Sequence, residues 1–316
     1  MESQVEWTEL NVDIGWGVLR GKKCFTGSDG NRPLLQIFGI HGWMDNANTY
    51  DRLVPGLPSG TELCVLDLPG HGYSDHLPNG AYYSALTYVI NVKAAVTKLG
   101  WKSFILIIHS LGGLIGYFYT ALFPKEVSAI ICFDSLTFKP APGFFSVLRS
   151  EVNNTLKCEK DTDSHPIFSE EEAIKRIIRS RMGGPNNDIV NVDEDAARVL
   201  LTRLVKPVSG GLTWRHDRKA VARFKMFNQG STWFYLIKQI KCPVLYFHPI
   251  DSIYDLTPSE RNGVFDIFKS EIEFSKCVVV EGAHHVHLTH PYRVLPDITE
   301  FLLKLKETTQ PSQSKL

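Results

Sequence analysis

Phe104-Ile105-Leu106-Ile107-Ile108-His109-Ser110-Leu111-Gly112-Gly113 is the stretch whose reading decides the fold. A short, unbroken apolar run of this kind is a strand buried on both faces. Ser110 closes it, and the residues after it have the pattern of a helix. A strand that turns this sharply into a helix lifts a hydroxyl above the sheet and points the next backbone N–H into the same space, an elbow suited to a nucleophile. An ordinary strand-to-helix turn that happens to contain serine is the alternative, and the surrounding sequence has to separate the two.

Working outward, apolar strands alternate with helical patterns. This order argues for an α/β fold with a mostly parallel central sheet flanked by helices. Val12–Leu19 and Gly21–Phe25 read as an opening antiparallel pair around Gly21. Pro33–Ile40 is a strand ending at His41-Gly42-Trp43, and Leu63–Leu68 is another, ending in Asp67-Leu68-Pro69-Gly70-His71-Gly72. Tyr82–Leu99 has helical spacing, Leu111–Phe123 is the helix after the elbow, and Val127–Phe133 is a strand. From residue 136 to 228 continuous apolar strands vanish and charge rises. Ser169-Glu170-Glu171-Glu172 is a capping box, and Asp193 opens a second helix. We expect a helical lid insert over 136–228, a core made of 1–135 and 229–307, and a flexible tail over 308–316. The core resumes with a helix over Trp233–Ile240, strands at Pro243–Phe247 and Cys277–Val280, and a final helix over Tyr292–Lys306.

Composition narrows the function classes. The 316 residues include 34 basic and 34 acidic side chains, so the net charge is zero. No electrostatic footprint for nucleic acid is present. No apolar run approaches the roughly 20 residues that span a bilayer. Cys24, Cys64, Cys132, Cys158, Cys242 and Cys277 are scattered without a C-x-x-C pair, which fits reduced thiols in an intracellular protein. The chain ends in Ser314-Lys315-Leu316 after a polar stretch. That tripeptide is the address read by the peroxisomal import receptor, and its chance occurrence at a terminus is roughly one in a few thousand. The expected location is the peroxisome with a cytoplasmic pool, and the receptor is the expected protein partner.

Four elements stand in a telling order: His41-Gly42-Trp43, Asp67-Leu68-Pro69-Gly70-His71-Gly72-Tyr73-Ser74, His109-Ser110-Leu111-Gly112-Gly113, and Gly282-Ala283-His284 with Pro291 beyond it. Together they resemble the α/β-hydrolase fold. His41-Gly42-Trp43-Met44-Asp45-Asn46-Ala47 and Gly211-Leu212-Thr213-Trp214-Arg215-His216-Asp217 further resemble the serine hydrolase-like proteins, including the kraken-type members of insects. The resemblance spans about residues 10–306. It implies Ser110 as nucleophile and His284 as its base, because a hydroxyl attacks poorly until an imidazole takes its proton. It implies the backbone N–H groups of Trp43 and Leu111 as the oxyanion hole. His285, His287 and His290 read as surface or packing histidines, and no convincing metal set or cofactor motif accompanies them.

The acid stays open at this level. The usual position follows the strand Pro243–Phe247, where Pro249-Ile250-Asp251-Ser252 replaces the family's Gly-x-x-Asp, with Asp255 a little further on. Some members place the acid after the preceding strand, where Asp134 stands. The order of preference is Asp134, Asp251, Asp255. Ile108 departs from the small residue the family places two positions before the nucleophile, and a branched side chain there invites a clash, which a local cavity relieves or which opens and weakens the elbow. Two functions are therefore carried forward. One is a serine hydrolase cleaving an ester, thioester or related acyl bond of a small-molecule substrate. The other is a catalytically weak or silent member of the fold that binds a small apolar ligand or partner. Phe138, Phe144, Phe145, Phe168 and Trp214 are candidates to line an apolar acyl pocket. Dehalogenase or epoxide hydrolase chemistry needs an aspartate at the elbow, and Ser110 argues against it.

Overall fold

The computed structural model describes residues 6–27, 33–135, 144–160, 165–183, 188–221, 235–254 and 274–309, with isolated positions between 259 and 272. Strands β1 (Thr8–Asp13), β2 (Val18–Phe25), β3 (Leu35–Ile40) and β4 (Thr61–Leu66) precede helix α1 (Ala85–Leu99). Strand β5 (Phe104–His109), helix α2 (Leu111–Leu122) and β6 (Val127–Phe133) follow. Next come α3 (Phe144–Lys160), α4 (Glu170–Arg179), β7 (Met182–Gly183), β8 (Ile189–Val190), α5 (Glu194–Leu204), β9 (Val205–Val208) and β10 (Gly211–Trp214). Strands β11 (Val244–Asp251) and β12 (Lys276–Ala283) lead to the final helix α6 (Leu295–Thr309).

Eight strands form one sheet in the order β1-β2-β4-β3-β5-β6-β11-β12. β2 runs antiparallel to β1 and β4, and every pair from β4 to β12 is parallel. This is the α/β-hydrolase architecture. From β3 the chain moves outward to β4, then crosses back to β5 on the other side. The loops after β3 and β5 therefore diverge and leave a crevice at the carboxyl ends of these strands, where doubly wound sheets place their sites.

The apolar runs are continuous because both faces of the sheet are covered. In β5, Phe104, Leu106 and Ile108 pack on the side of α1 and α2. Ile105 and Ile107 pack on the other side, with Tyr50, Leu53, Ile298 and Phe301. Between the neighbouring strands β6 and β11 the chain adds a segment that packs apart from the sheet, while Leu236, Ile237 and Ile240, just before β11, pack in the main core with α1 and α2. This insert has its own apolar core built on Ile174, Ile177, Ala197, Leu200 and Leu204, which also takes in Leu288 from the main body. Its helices begin where expected: Ser169 Oγ accepts from Glu172 N–H, and Asp193 Oδ1 accepts from Ala196 N–H.

Three expectations are corrected. The first hairpin turns at residues 14–17, where Gly15 has φ +96°, and not at Gly21. Gly21 lies within β2, where a Cβ would sit 2.2 Å from the Val65 carbonyl oxygen, so it serves close approach between strands. The insert also carries two short antiparallel pairs, β7–β8 and β9–β10, with Gly210 and Gly211 turning the second. Of the helix expected over Trp233–Ile240, residues 235–237 are helical and 233–234 lie outside the described residues. Phe138, Asp255 and the terminal tripeptide also lie outside them. Among the described residues no helix is long and apolar enough to cross a membrane.

The question left open at Ile108 is one of packing. The elbow has room for it because the facing residue in α2 is Gly116, where a Cβ would lie 2.8 Å from Ile108 Cγ2. The small residue has moved from the strand to the helix, and Ile108 is fully buried without displacing α2. Ile108→Ala should therefore destabilise the protein by about 2–5 kcal/mol through the cavity it leaves. Gly116→Ala should be destabilising in the wild type, by about 1–3 kcal/mol of overpacking, and neutral or stabilising beside Ile108→Ala. Urea unfolding of the two single variants and the pair measures this. Additive losses would show that the two positions do not share one space.

Candidate active site

Ser110 occupies a strained backbone position, φ 53° and ψ −116°. A non-glycine residue there costs on the order of 1–3 kcal/mol unless its surroundings impose it. Here they do. Ser110 N–H donates to Phe133 O, while Gly113 N–H and Ser135 Oγ both donate to Ser110 O, at 2.9 and 2.6 Å. Helix α2 can start this close because a Cβ on Gly112 would sit 2.1 Å from Ile40 O, and one on Gly113 2.0 Å from Ser135 Oγ. Leu111 is the first residue of α2, so its N–H belongs to the helix end that lacks an internal acceptor.

His284 follows β12 and Asp134 follows β6. Both are buried, and His284 Nδ1 lies 2.7 Å from Asp134 Oδ2. Nδ1–H donates to the carboxylate, which leaves Nε2 as the basic nitrogen. Asp134 has φ 40°, and its own N–H donates to Phe247 O, which aims the side chain across the strand ends. Its second oxygen accepts from Ser252 Oγ at 2.7 Å. Asp251, the other sequence candidate, is not brought to His284. It is exposed at the end of β11, where the pairing with β12 slips between Pro249 and Asp251. The residue after it, Ser252, reaches the site and braces Asp134.

The loop carrying Trp43 is fastened from below. His41 Nδ1–H donates to Gly42 O, and its Nε2 accepts from Leu68 N–H at 2.9 Å. Burial keeps that ring neutral, with its pKa down to about 4. Asp67 accepts from Ala47 N–H, Tyr73 N–H and Arg203. Gly72 permits this crowding, since a Cβ there would lie 2.2 Å from the Asp67 carboxyl. The Trp43 indole donates to Ala220 O in the insert at 3.0 Å. Phe168 and Trp214 pack against each other within the insert's core, with ring centroids 4.6 Å apart and planes tilted by 50°. The side chains of Phe144 and Phe145 lie outside the described residues.

A second polar cluster sits beneath His284. Asp45, His109, His285 and His287 are all buried. His285 Nε2–H donates to Asp45 Oδ2 at 3.1 Å, and His109 Nδ1 lies 3.3 Å from the same oxygen. Arg181, from the insert, donates to Asp45 Oδ1 at 3.1 Å and to Met44 O. Burial alone would raise the Asp45 carboxyl, but His285, His109 and Arg181 outweigh it and hold it well below the usual range. Burial also pushes His285 down to about 3. The ligating atoms of Asp45, His109 and His285 lie within 4.8 Å of one another, close enough for one cation. Arg181 already brings a positive charge to that carboxylate. Asp45 and His109 lie inside the motifs at 41–47 and 109–113, so their places were legible though their contact was not. Nothing in the sequence marks Arg181.

Against this geometry, comparison with known proteins is informative. Residues 37–156 match the family model described as the alpha/beta hydrolase fold. A serine hydrolase-like protein of Danio rerio is 30% identical over 97% of this chain and 92% of its own length. A probable serine hydrolase of Drosophila melanogaster is 32% identical over 94% of this chain and 88% of its own. Among solved structures, a thioesterase domain from the curacin biosynthetic pathway superposes with a TM-score of 0.73 at 20% identity, over 93% of this chain and 99% of that domain. The chain belongs to the α/β-hydrolase family, among its serine hydrolase-like proteins, and these relatives support hydrolase function.

The buried histidines carry a pH signature. His41, with its pKa near 4, and His71 and His285, near 3, are depressed mainly by burial. The unfolded chain takes up protons below pH about 6.5 while the folded one does not. Their stabilising contribution is therefore complete above that pH and is lost as pH falls toward 4. The loss is about 1.4 kcal/mol per pH unit for each histidine that stays neutral. Urea unfolding at pH 7.5, 6 and 5 should show falling stability. Stability that is flat or rising toward pH 5 would contradict these assignments.

Proposed function

We propose that this protein is a serine hydrolase cleaving an ester, thioester or related acyl bond. Ser110 is the nucleophile, His284 the general base and Asp134 the acid that orients it. The observation that carries the reading is the 2.7 Å pair of buried His284 Nδ1 and Asp134 Oδ2 at the strand ends, with the strained Ser110 at the end of β5, the neighbour of β6. Ser110 Oγ attacks the acyl carbon while His284 Nε2 takes its proton, and Asp134 stabilises the imidazolium that results. The N–H groups of Trp43 and Leu111 hold the oxyanion. The bond to the leaving oxygen or sulfur then breaks as His284 returns the proton to it. A water, deprotonated by the same histidine, releases the acid and restores Ser110. The insert acts as a lid that shapes the acyl site. The fit of Ile108 against Gly116 favours this reading over a silent member of the fold, because it leaves the elbow unobstructed.

Ser314-Lys315-Leu316, read by the peroxisomal import receptor, would bring the enzyme to small-molecule acyl substrates of that compartment, with a cytoplasmic pool awaiting import.

A fluorophosphonate probe should label the wild type on Ser110 and leave Ser110→Ala unlabelled. Asp134→Asn should lower turnover of a simple aryl ester by up to about 10⁴-fold, while Asp251→Asn stays near wild type. Folded wild-type protein that resists the probe would return the silent-binder reading, and the reverse ranking of the aspartates would move the acid to Asp251. A fluorescent protein fused at the N-terminus should give peroxisomal puncta that become diffuse on deletion of residues 314–316. A diffuse signal from the intact chain, in cells that import a control cargo, would remove the peroxisomal assignment.

A further inference from the structure

His284 stands on the loop after β12, beyond Gly282 with its φ of +129°, where no ladder partner fixes the backbone. Its main chain is held by side chains instead. The His284 N–H donates to Asn191 Oδ1 at 3.0 Å, and Asn191 is 3% exposed at the end of the β7–β8 pair in the insert. The His284 carbonyl accepts from His109 Nε2 at 3.1 Å, from the residue just before the nucleophile. The first anchor also leads back to the same turn by a second route. Asn191 Nδ2 donates to Arg181 O at 2.6 Å, Arg181 Nη2 donates to Asp45 Oδ1 at 3.1 Å, and Asp45 Oδ2 accepts at 3.1 Å from Nε2–H of His285, the residue bonded to His284 in the chain. Asn191, Arg181, Asp45, His285 and His284 thus form a closed ring, two members from the insert and three from the main body.

We propose that this ring positions the base: Asn191 and Arg181 of the insert, through Asp45 and His285, set where the His284 imidazole stands relative to Ser110. The inference rests on the reading of His284 as general base. None of the four other residues touches a reacting atom in this scheme, and each acts through the placement of His284. A base must sit within hydrogen-bond reach of the proton it removes. A shift of about 1 Å costs on the order of 10²-fold in rate. The seating of the insert is therefore a condition for turnover and not merely a cover over the substrate. Asp45 is fully buried, and a carboxylate there is tolerable only while its partners stay in place, which keeps the ring closed.

Asn191→Ala removes the insert's hold on His284, and Arg181→Met opens the ring at the opposite side. Each variant should lower kcat on an aryl ester by about ten- to a hundredfold with KM near wild type. The double variant should be no worse than the poorer single one, because a ring already open is not opened again. Proton NMR supplies a second readout. The downfield Nδ1–H resonance of His284, assigned by its loss in Asp134→Asn, should broaden or shift in Asn191→Ala. Thermal melts identify variants that fail to fold, and Arg181→Lys replaces any that do. Wild type that turns over while Asn191→Ala keeps its kcat and resonance would overturn the ring. So would a change confined to KM, or losses that multiply in the double variant. A metal ion retained in stoichiometric amount through chelation would assign Asp45, His109 and His285 to coordination and overturn it as well. Wild type that neither turns over nor reacts with the fluorophosphonate would instead remove the underlying reading of His284.

Discussion

Helix α2 can approach the strand ends closely only because three of its residues have no side chain. Gly112 lies against the Ile40 carbonyl, Gly113 against Ser135 and Gly116 against Ile108. A methyl group at any of the three would push the helix away from the sheet. With the helix drawn in, the chain between β5 and α2 has one residue in which to reverse, and that residue is Ser110 at φ 53°. The strain at the serine is therefore a consequence of packing elsewhere and persists because moving α2 would cost more. The same approach puts the first N–H of the helix beside the serine and brings Ser135, next to Asp134, up against the Ser110 carbonyl.

The parallel sheet supplies the rest by bringing ends together. His41-Gly42-Trp43, Ser110, Asp134, Ser252 and His284 all stand just beyond the carboxyl ends of strands, so residues far apart in the chain meet at one rim. This explains both what the sequence discloses and what it withholds. The elbow is legible because its signal is local: an apolar run, a serine and two glycines. The choice of acid is not. β6 and β11 are neighbours, so the loop after either one reaches the same histidine, and Asp134 and Asp251 are equally placed until the side chains are seen. The turn near Gly21 was misplaced because a glycine needed for close strand approach looks, in sequence, like a glycine needed for a turn. The allowance for Ile108 lay eight positions further on, at Gly116, and only the reversal of the chain makes those two residues neighbours.

The ring beneath His284 is the least legible part. Its contacts join residues as far apart as 136 and 93 positions, between a core and an insert with separate apolar clusters. No periodicity marks such contacts, since each is one polar side chain meeting another element once. Polar links also tie the insert down elsewhere, through Arg203 to Asp67 and through Asn46 to Leu200 O. On this account the insert is a structural part of the active site, which is how a fold shared with many other hydrolases can be tuned by the segment between β6 and β11.

The central claim is that acyl transfer passes through Ser110. The most direct measurement is acid quenching during steady turnover of an aryl ester, followed by mass analysis of the peptide that contains residue 110. The account predicts that one acyl group accumulates on Ser110 and disappears when the ester is exhausted. Sustained turnover with Ser110 unmodified, or with the acyl group on another side chain, would contradict it.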